Sequence, residues 1–191
     1  MNPIINGEFD VWQLGANFGS SLNHLQKLAD RWNYDFNGTA GTAWVDKVVV
    51  QDWAKFPGFS AENGIRVNMV TAPQYNTFQD LSTQIEGVET LAGETVTISF
   101  YATYYSGEPP LLTAVKTEQY FGSGGQPSAP AFTTSCPIQL LHGAGVWRRY
   151  SVTATLDSVL NKVKGTEKDD TLNIIFTLPL NCKFDIGITW V

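Results

Sequence analysis

The stretch Thr95-Val96-Thr97-Ile98-Ser99-Phe100-Tyr101-Ala102-Thr103-Tyr104-Tyr105 decides the fold class. Val96, Ile98, Phe100 and Ala102 fall on one side of an extended backbone, and Thr95, Thr97, Ser99 and Tyr101 on the other. Strict period-two alternation over this length predicts a strand with one face against a core. β-branched and aromatic residues fill it, as a pleated, half-buried surface favours. Working outward, the same pattern marks Trp32–Phe36, Ala43–Gln51, Ile65–Val70 and Ser82–Glu86 on one side of it. On the other side it marks Leu111–Phe121, Pro137–Leu141, Trp147–Leu156, Leu172–Leu178 and Phe184–Val191. Turn-forming stretches separate these runs, among them Asn37-Gly38-Thr39-Ala40-Gly41, Pro109-Pro110 and Gly122-Ser123-Gly124-Gly125-Gln126-Pro127.

About ten short strands with such breaks predict an all-β fold, a two-sheet antiparallel β-sandwich with jelly-roll topology. Helical spacing is confined to Leu22–Arg31 and to one turn within Leu156–Val163. No internal repeat or linker divides the 191 residues, so residues 1–191 are read as a single domain.

Composition narrows the function classes. The net charge is −6, and Lys and Arg are scattered singly apart from Arg148-Arg149. Phosphate neutralisation needs a basic stripe, so nucleic acid is excluded as a partner. No run approaches the ~18 apolar residues of a spanning helix, and Met1–Ile5 lacks the basic start of a secretory leader, so a soluble chain without membrane insertion is expected. Cys136 and Cys182 are read as two buried thiols, because a core of this size needs no disulfide, with a disulfide as the alternative if the two strand ends meet.

Catalytic constellations are missing. The two histidines, His24 and His142, have no second ligand at metal spacing, and no nucleophile elbow occurs. Asp169-Asp170 reads as a solvated loop pair. The glycines of Gly122–Gly125 lack the lysine and following helix of a phosphate cradle. Asn37-Gly38-Thr39 matches the glycosylation pattern, which bears only on a secreted eukaryotic chain. Glu8 and Asp10 flank Phe9 and share a face if that segment is extended, as calcium ligands or turn acceptors. The remaining signal is aromatic: six Trp, seven Tyr and eleven Phe, many beside turns. Aromatic faces can stack on sugar rings while amides and carboxylates bond the hydroxyls, although most aromatics of any domain fill cores or subunit seams. By residue type and position, the sugar-contact candidates are Trp44, Trp53, Tyr75, Gln84 and Tyr104.

Several blocks carry a family likeness. The opening Asn2-Pro3-Ile4-Ile5-Asn6-Gly7-Glu8-Phe9-Asp10-Val11-Trp12-Gln13 resembles the start of carbohydrate-binding-like modules of bacteriophage tail fibres and other virion proteins. The resemblance continues through Ala29-Asp30-Arg31-Trp32, the run from Gln84 to Ala102, Phe121–Ser128, Trp147–Val152 and Phe184-Asp185-Ile186. It implies a jelly roll related to xylanase-type carbohydrate-binding modules, a place on the phage particle after synthesis in the host cytoplasm, and a homotrimer. It implies no enzyme. Its members act either as receptors for host surface polysaccharide or as structural pieces that contact other virion proteins. Related modules hold a structural calcium with an acidic pair in the last strand. Here that stretch reads Ile186-Gly187-Ile188-Thr189, which leaves Glu8, Asp10 and Asp185 as the carboxylates able to contribute.

Three readings follow. The favoured one is a non-catalytic module that binds host glycan as part of a tail fibre or receptor-binding protein. The second is a capsid cement or decoration protein acting through trimeric contacts. The third, a polysaccharide-degrading enzyme, requires two carboxylates brought into one cleft.

Overall fold

The computed structural model describes residue 4 and residues 7–19, 26–37, 42–50, 61–141 and 145–189. Among them, every regular element is a strand: β1 (Asn17–Phe18), β2 (Gln26–Lys27), β3 (Trp32–Phe36), β4 (Thr42–Val49), β5 (Asn63–Thr71), β6 (Gln79–Glu86), β7 (Thr95–Tyr104), β8 (Leu111–Leu112), β9 (Ala114–Tyr120), β10 (Ala131–Thr134), β11 (Ile138–Gln139), β12 (Arg148–Thr155), β13 (Thr171–Thr177) and β14 (Phe184–Thr189). They form two antiparallel six-stranded sheets, ordered β1-β4-β5-β14-β7-β12 and β10-β9-β13-β6-β3-β2, plus the short pair β11-β8. The chain passes repeatedly from one sheet to the other, at β3→β4, β5→β6, β6→β7, β12→β13 and β13→β14. This is the wiring of a jelly-roll sandwich.

The alternation in β7 behaves as its sequence requires. Ile98, Phe100 and Ala102 lie in the core between the sheets, facing Trp32, Leu81, Leu172, Ile174 and Phe176 of the second sheet. A chain of rings crosses the interior: Phe9 on Trp32 at 4.6 Å, Trp32 on Phe176 at 6.2 Å, Phe176 edge-on to Phe100 at 4.9 Å, and Phe100 stacked on Tyr150 at 5.8 Å. Much of the aromatic surplus is therefore core, where each ring removes a large apolar area from water.

The first sheet also buries part of its outer face. Trp147, 2% exposed, packs there with Val50, Ala61 and Tyr101. It lies over Gly64 on β5 and Gly187 on β14, whose absent side chains leave room for the ring. Beside it, Arg66 on β5 makes two hydrogen bonds to Asp185 on β14, at 2.7 and 2.6 Å, and lies 4.6 Å from the centre of the Tyr105 ring. Burial drives the Tyr105 hydroxyl up to about 12, with Arg66 pulling the other way.

Four expectations change. Residues 26–31 of the expected helix Leu22–Arg31 form β2 and a turn, with Gln26 opposite Tyr34; residues 22–25 lie outside the described residues. Pairing with β3 satisfies this backbone, and Leu28 and Ala29 reach the core from the turn. Leu156–Val163 is irregular apart from a turn closed by Lys162 N–H to the Val159 carbonyl. The run Leu111–Phe121 splits at Thr113, whose N–H goes to the Thr177 carbonyl, so β8 pairs with β11 and β9 with β13. Cys136 and Cys182 are unpaired and exposed, because both fall in loops at strand ends rather than on the core face. β10, with Phe132 on it, has no counterpart in the expected strands.

Candidate functional site

The outer face of the second sheet carries a groove of 510 Å³. Strand register builds it. One row across the sheet runs Gln84, Asn173, Glu118, Phe132, and the next runs Asn33, Ser82, Ile175, Lys116, Thr134. A third begins with Asp35 opposite Asp80, which is itself opposite Thr177. Each is the outward half of an alternating strand whose inward half (Trp32 and Tyr34, Leu81, Leu172 and Ile174) fills the core. Five strands at about 4.8 Å spacing make the groove roughly 19 Å wide, enough for several sugar rings.

Its chemistry is mixed. Asn33, Asp35, Asp80, Ser82, Gln84, Lys116, Glu118, Thr134 and Asn173 supply donors and acceptors, and Phe78, Phe132 and Ile175 supply apolar surface. Phe132 is 60% exposed, which for a large ring on a rigid strand is a costly way to meet water. Phe78 is fixed by Asn37: the Asn37 Oδ1 accepts from Thr77 N–H at 2.8 Å and from Phe78 N–H at 3.0 Å, while its Nδ2 donates to the Thr77 hydroxyl at 2.6 Å. The Asn37 amide is thus committed to holding a groove wall. At the other wall, Asn173 Nδ2 donates to Glu118 Oε2 at 2.8 Å.

Asn173 Oδ1 on this face is withdrawn from water without a hydrogen-bond partner. Such orphans are rare in a finished interior, because each forfeits its hydration. Burial raises the Asp80 carboxyl above its ordinary 3.8, and Asp35 and Glu118 add to the rise. A hydrogen bond with the Thr177 hydroxyl acts against it, and so does Lys116. A second hollow of 420 Å³ shares Asn33 and Gln84 with the groove and continues past Trp32 to Lys27 and Arg31. There Arg31, at positive φ, reaches Glu86 at 2.8 Å.

The residues expected to contact sugar are dispersed. Gln84 lines the groove and the adjoining hollow. Trp44, 40% exposed, stands on β4 of the opposite sheet. Tyr75, 82% exposed, is in the loop before β6, three positions ahead of Phe78. Tyr104 ends β7 and packs on the core. Trp53 lies outside the described residues. Period-two patterning holds a usable signal, since the polar positions of β3, β6, β9 and β13 line the groove.

The three carboxylates considered for calcium do not fit a shared ion. Asp185 has both oxygens on the Arg66 guanidinium, which already balances its charge. Asp10 accepts from Asn63 at 2.6 Å. Among the described residues, no three His, Cys, Asp or Glu side chains gather to hold a metal ion, so Glu8 is not joined to the other two. The pair Asp169-Asp170 is structural rather than simply solvated: Asp169 accepts from the Ser123 N–H and hydroxyl, both at 2.7 Å, and Asp170 accepts from Val88 N–H and Lys164. These contacts hold both carboxyls below the ordinary range.

No protein-family model matches the chain, and no curated protein matches it. Solved structures of similar shape exist. The CBM22-2 xylan-binding domain from Paenibacillus barcinonensis Xyn10C is 13% identical, with 83% of this chain and 88% of that one covered and a TM-score of 0.47. The N-terminal cellulose-binding domain from Cellulomonas fimi β-1,4-glucanase C is 13% identical over 93% and 97%, with a TM-score of 0.48. The enzymatically active domain of bacteriophage CBA120 tailspike protein 4 is 13% identical over 83% of this chain and 18% of that one, with a TM-score of 0.49. At such identities, what this chain does has to be read from its own groove.

Proposed function

We propose that this chain is a non-catalytic glycan-binding module, that the outer face of its second sheet is the binding groove, and that it serves on a phage particle as part of a tail fibre. One observation carries the binding reading. The groove combines an exposed ring, Phe132, with polar side chains carried in register on five neighbouring strands. A sugar ring offers an apolar C–H face to the phenyl group and hydroxyl donors to Asp80, Asn173 and Gln84. Strand-borne side chains lose little further freedom on binding. The place on a phage, and the homotrimer that goes with it, rest on the sequence resemblance of the opening and Gln84–Ala102 segments. Tyr75, ahead of Phe78 in sequence, is proposed as a rim contact.

The test is a glycan array of bacterial surface polysaccharides, followed by calorimetry on the best oligosaccharide. Phe132→Ala is expected to weaken binding by about threefold to tenfold, the range for one aromatic contact. Gln84→Ala is expected to weaken it as well, and Trp44→Ala to leave it unchanged. Absence of any glycan ligand overturns the binding reading. Loss through Trp44→Ala with Phe132→Ala silent moves the site to the opposite sheet.

A further inference from the structure

The first sheet is open along part of β7. β12 pairs with β7 from Thr95 to Ala102, whereas β14 pairs with it only from Tyr101 to Tyr104. Among the described residues, Thr95–Phe100 is therefore paired on one side only, which leaves an edge about 20 Å long. Along it every second residue turns its N–H and C=O toward the gap. The outer edges of both sheets are blunted: β1 and β2 have two residues each, β10 has four, and β12 begins with Arg148-Arg149. Shortness and charge are the usual guards against strand addition. Thr95–Phe100 has neither, carries no proline, and keeps its register with β12 without a bulge.

A pocket opens beside the same edge. It measures 230 Å³ and lies between the sheets, with Val96 and Ile98 of β7 on one side and Ile85, Leu172 and Ile174 on the other. Thr97 and Ser99 belong to the opposite face of β7, and they line the pocket because it opens past the unpaired side of the strand. Its volume is below the roughly 300 Å³ at which small-molecule sites begin, and suits one or two aliphatic side chains. Ile4 of the chain itself packs at one wall, so the walls accept a branched aliphatic group. A row of main-chain donors and acceptors is matched in spacing by another main chain, whose alternate side chains an adjoining apolar pocket can take. We infer that the edge of β7 takes an extended segment of a partner protein, added antiparallel in line with β14, with a branched aliphatic side chain entering the pocket. This surface is separate from the glycan groove, which lies on the outer face of the other sheet.

The test is amide hydrogen exchange on the intact chain, read residue by residue by nuclear magnetic resonance. The probe is the acetylated and amidated peptide Lys-Thr-Ile-Thr-Ile-Thr-Ile-Lys. Its control has proline in place of the middle threonine and so lacks a ladder donor. In the dilute free protein, alternate amides from Thr95 to Ser99 are expected to exchange as exposed amides do. With the peptide at ten times its Kd, these amides are expected to slow by about tenfold, and with the control to stay fast. Val96→Phe fills the pocket from β7 and is expected to remove the protection while the far-ultraviolet circular dichroism is kept. Should that variant fail to fold, Leu91→Phe blocks the pocket from its mouth. Edge amides already slow in the dilute free chain mean that the chain covers its own edge, and overturn the inference. Slowing that grows with protein concentration makes the occupant a second copy and overturns it too. So do the absence of slowing with the peptide, equal protection by the control, and protection that survives the filled pocket.

Discussion

Replacing Gly187 by Ala tests the packing of the outer face of the first sheet. A Cβ at Gly187 would lie 2.8 Å from the Trp147 ring, 3.1 Å from the Tyr105 ring and 3.2 Å from the Thr103 methyl. Carbon atoms rest at about 3.5–4.0 Å, so the Trp147 ring must retreat by roughly 1 Å. It has little room, being buried against Val50, Ala61 and Tyr101 and in contact range of Gly64 as well. Overpacking of this kind is worth about 1–3 kcal/mol. A chain of this length loses roughly 2–4 °C in Tm per kcal/mol, so a fall of about 4–8 °C is expected for a loss of about 2 kcal/mol. Trp147→Ala alone should cost about 3–5 kcal/mol by opening a cavity. In that background the tightest contact is gone while those to Tyr105 and Thr103 remain, and the smaller freedom of alanine in the unfolded chain offsets part of their cost, so Gly187→Ala should lose less than about 1 kcal/mol. The coupling between the two positions is then about 1–2 kcal/mol. Urea titration followed by far-ultraviolet circular dichroism reads all four proteins, with an unchanged slope required for the comparison. A loss below about 0.5 kcal/mol for Gly187→Ala, or additivity in the double variant, would refute the reasoning, because both follow from the same contact.

Two further expectations concern buried charge. Arg66→Met leaves the Asp185 carboxylate, 5% exposed, without its partner and close to Asp46, and should destabilise by about 3 kcal/mol, the low end for a broken buried pair because Arg66 is partly exposed. Adding Asp185→Leu should recover most of that loss; a urea midpoint that the second change fails to raise would contradict it. Asp80→Asn is expected to stabilise the ligand-free protein at neutral pH. A carboxyl raised in the folded state favours folding fully only below its ordinary 3.8, and that contribution is lost as pH rises through the raised value. The Tm gain of the variant should therefore be present at pH 7 and vanish near pH 3.5. A gain that is equal at both pH values, or a loss at pH 7, would exclude burial of the carboxylate as its cause. Together with the proposed role of Asp80 in binding, this makes the groove a place where stability is given up for function.

How much of this was legible in the sequence differs from element to element. β3 and β7 follow their alternation almost residue for residue, because a strand with one buried face has only two ways to point its side chains. The helical spacing at Leu22–Arg31 misled over residues 26–31, where Leu28 and Ala29 enter the core from a turn rather than from a helical stripe. β10 escaped notice because four residues with a single large apolar side chain carry too little pattern. Gln84 is legible from its type and position. Phe132 and Asp80 are not, since neither an isolated phenylalanine nor an isolated aspartate differs in sequence from an ordinary surface residue.

By itself the sequence determined that the chain is a β-sandwich and, in strands such as β3 and β7, which half faces the other sheet, because the period of two is a local property. Only the tertiary structure decided that Gln84, Asn173, Glu118 and Phe132 stand in one row. Only it decided that Trp147 rests on Gly64 and Gly187, and that Asp185 answers to Arg66 rather than to a metal. Each of these depends on which strands become neighbours and in what register, and that is settled by the joint packing of both sheets around Trp32, Phe100 and Phe176. Alternation says that a side chain points outward; it does not say what stands beside it.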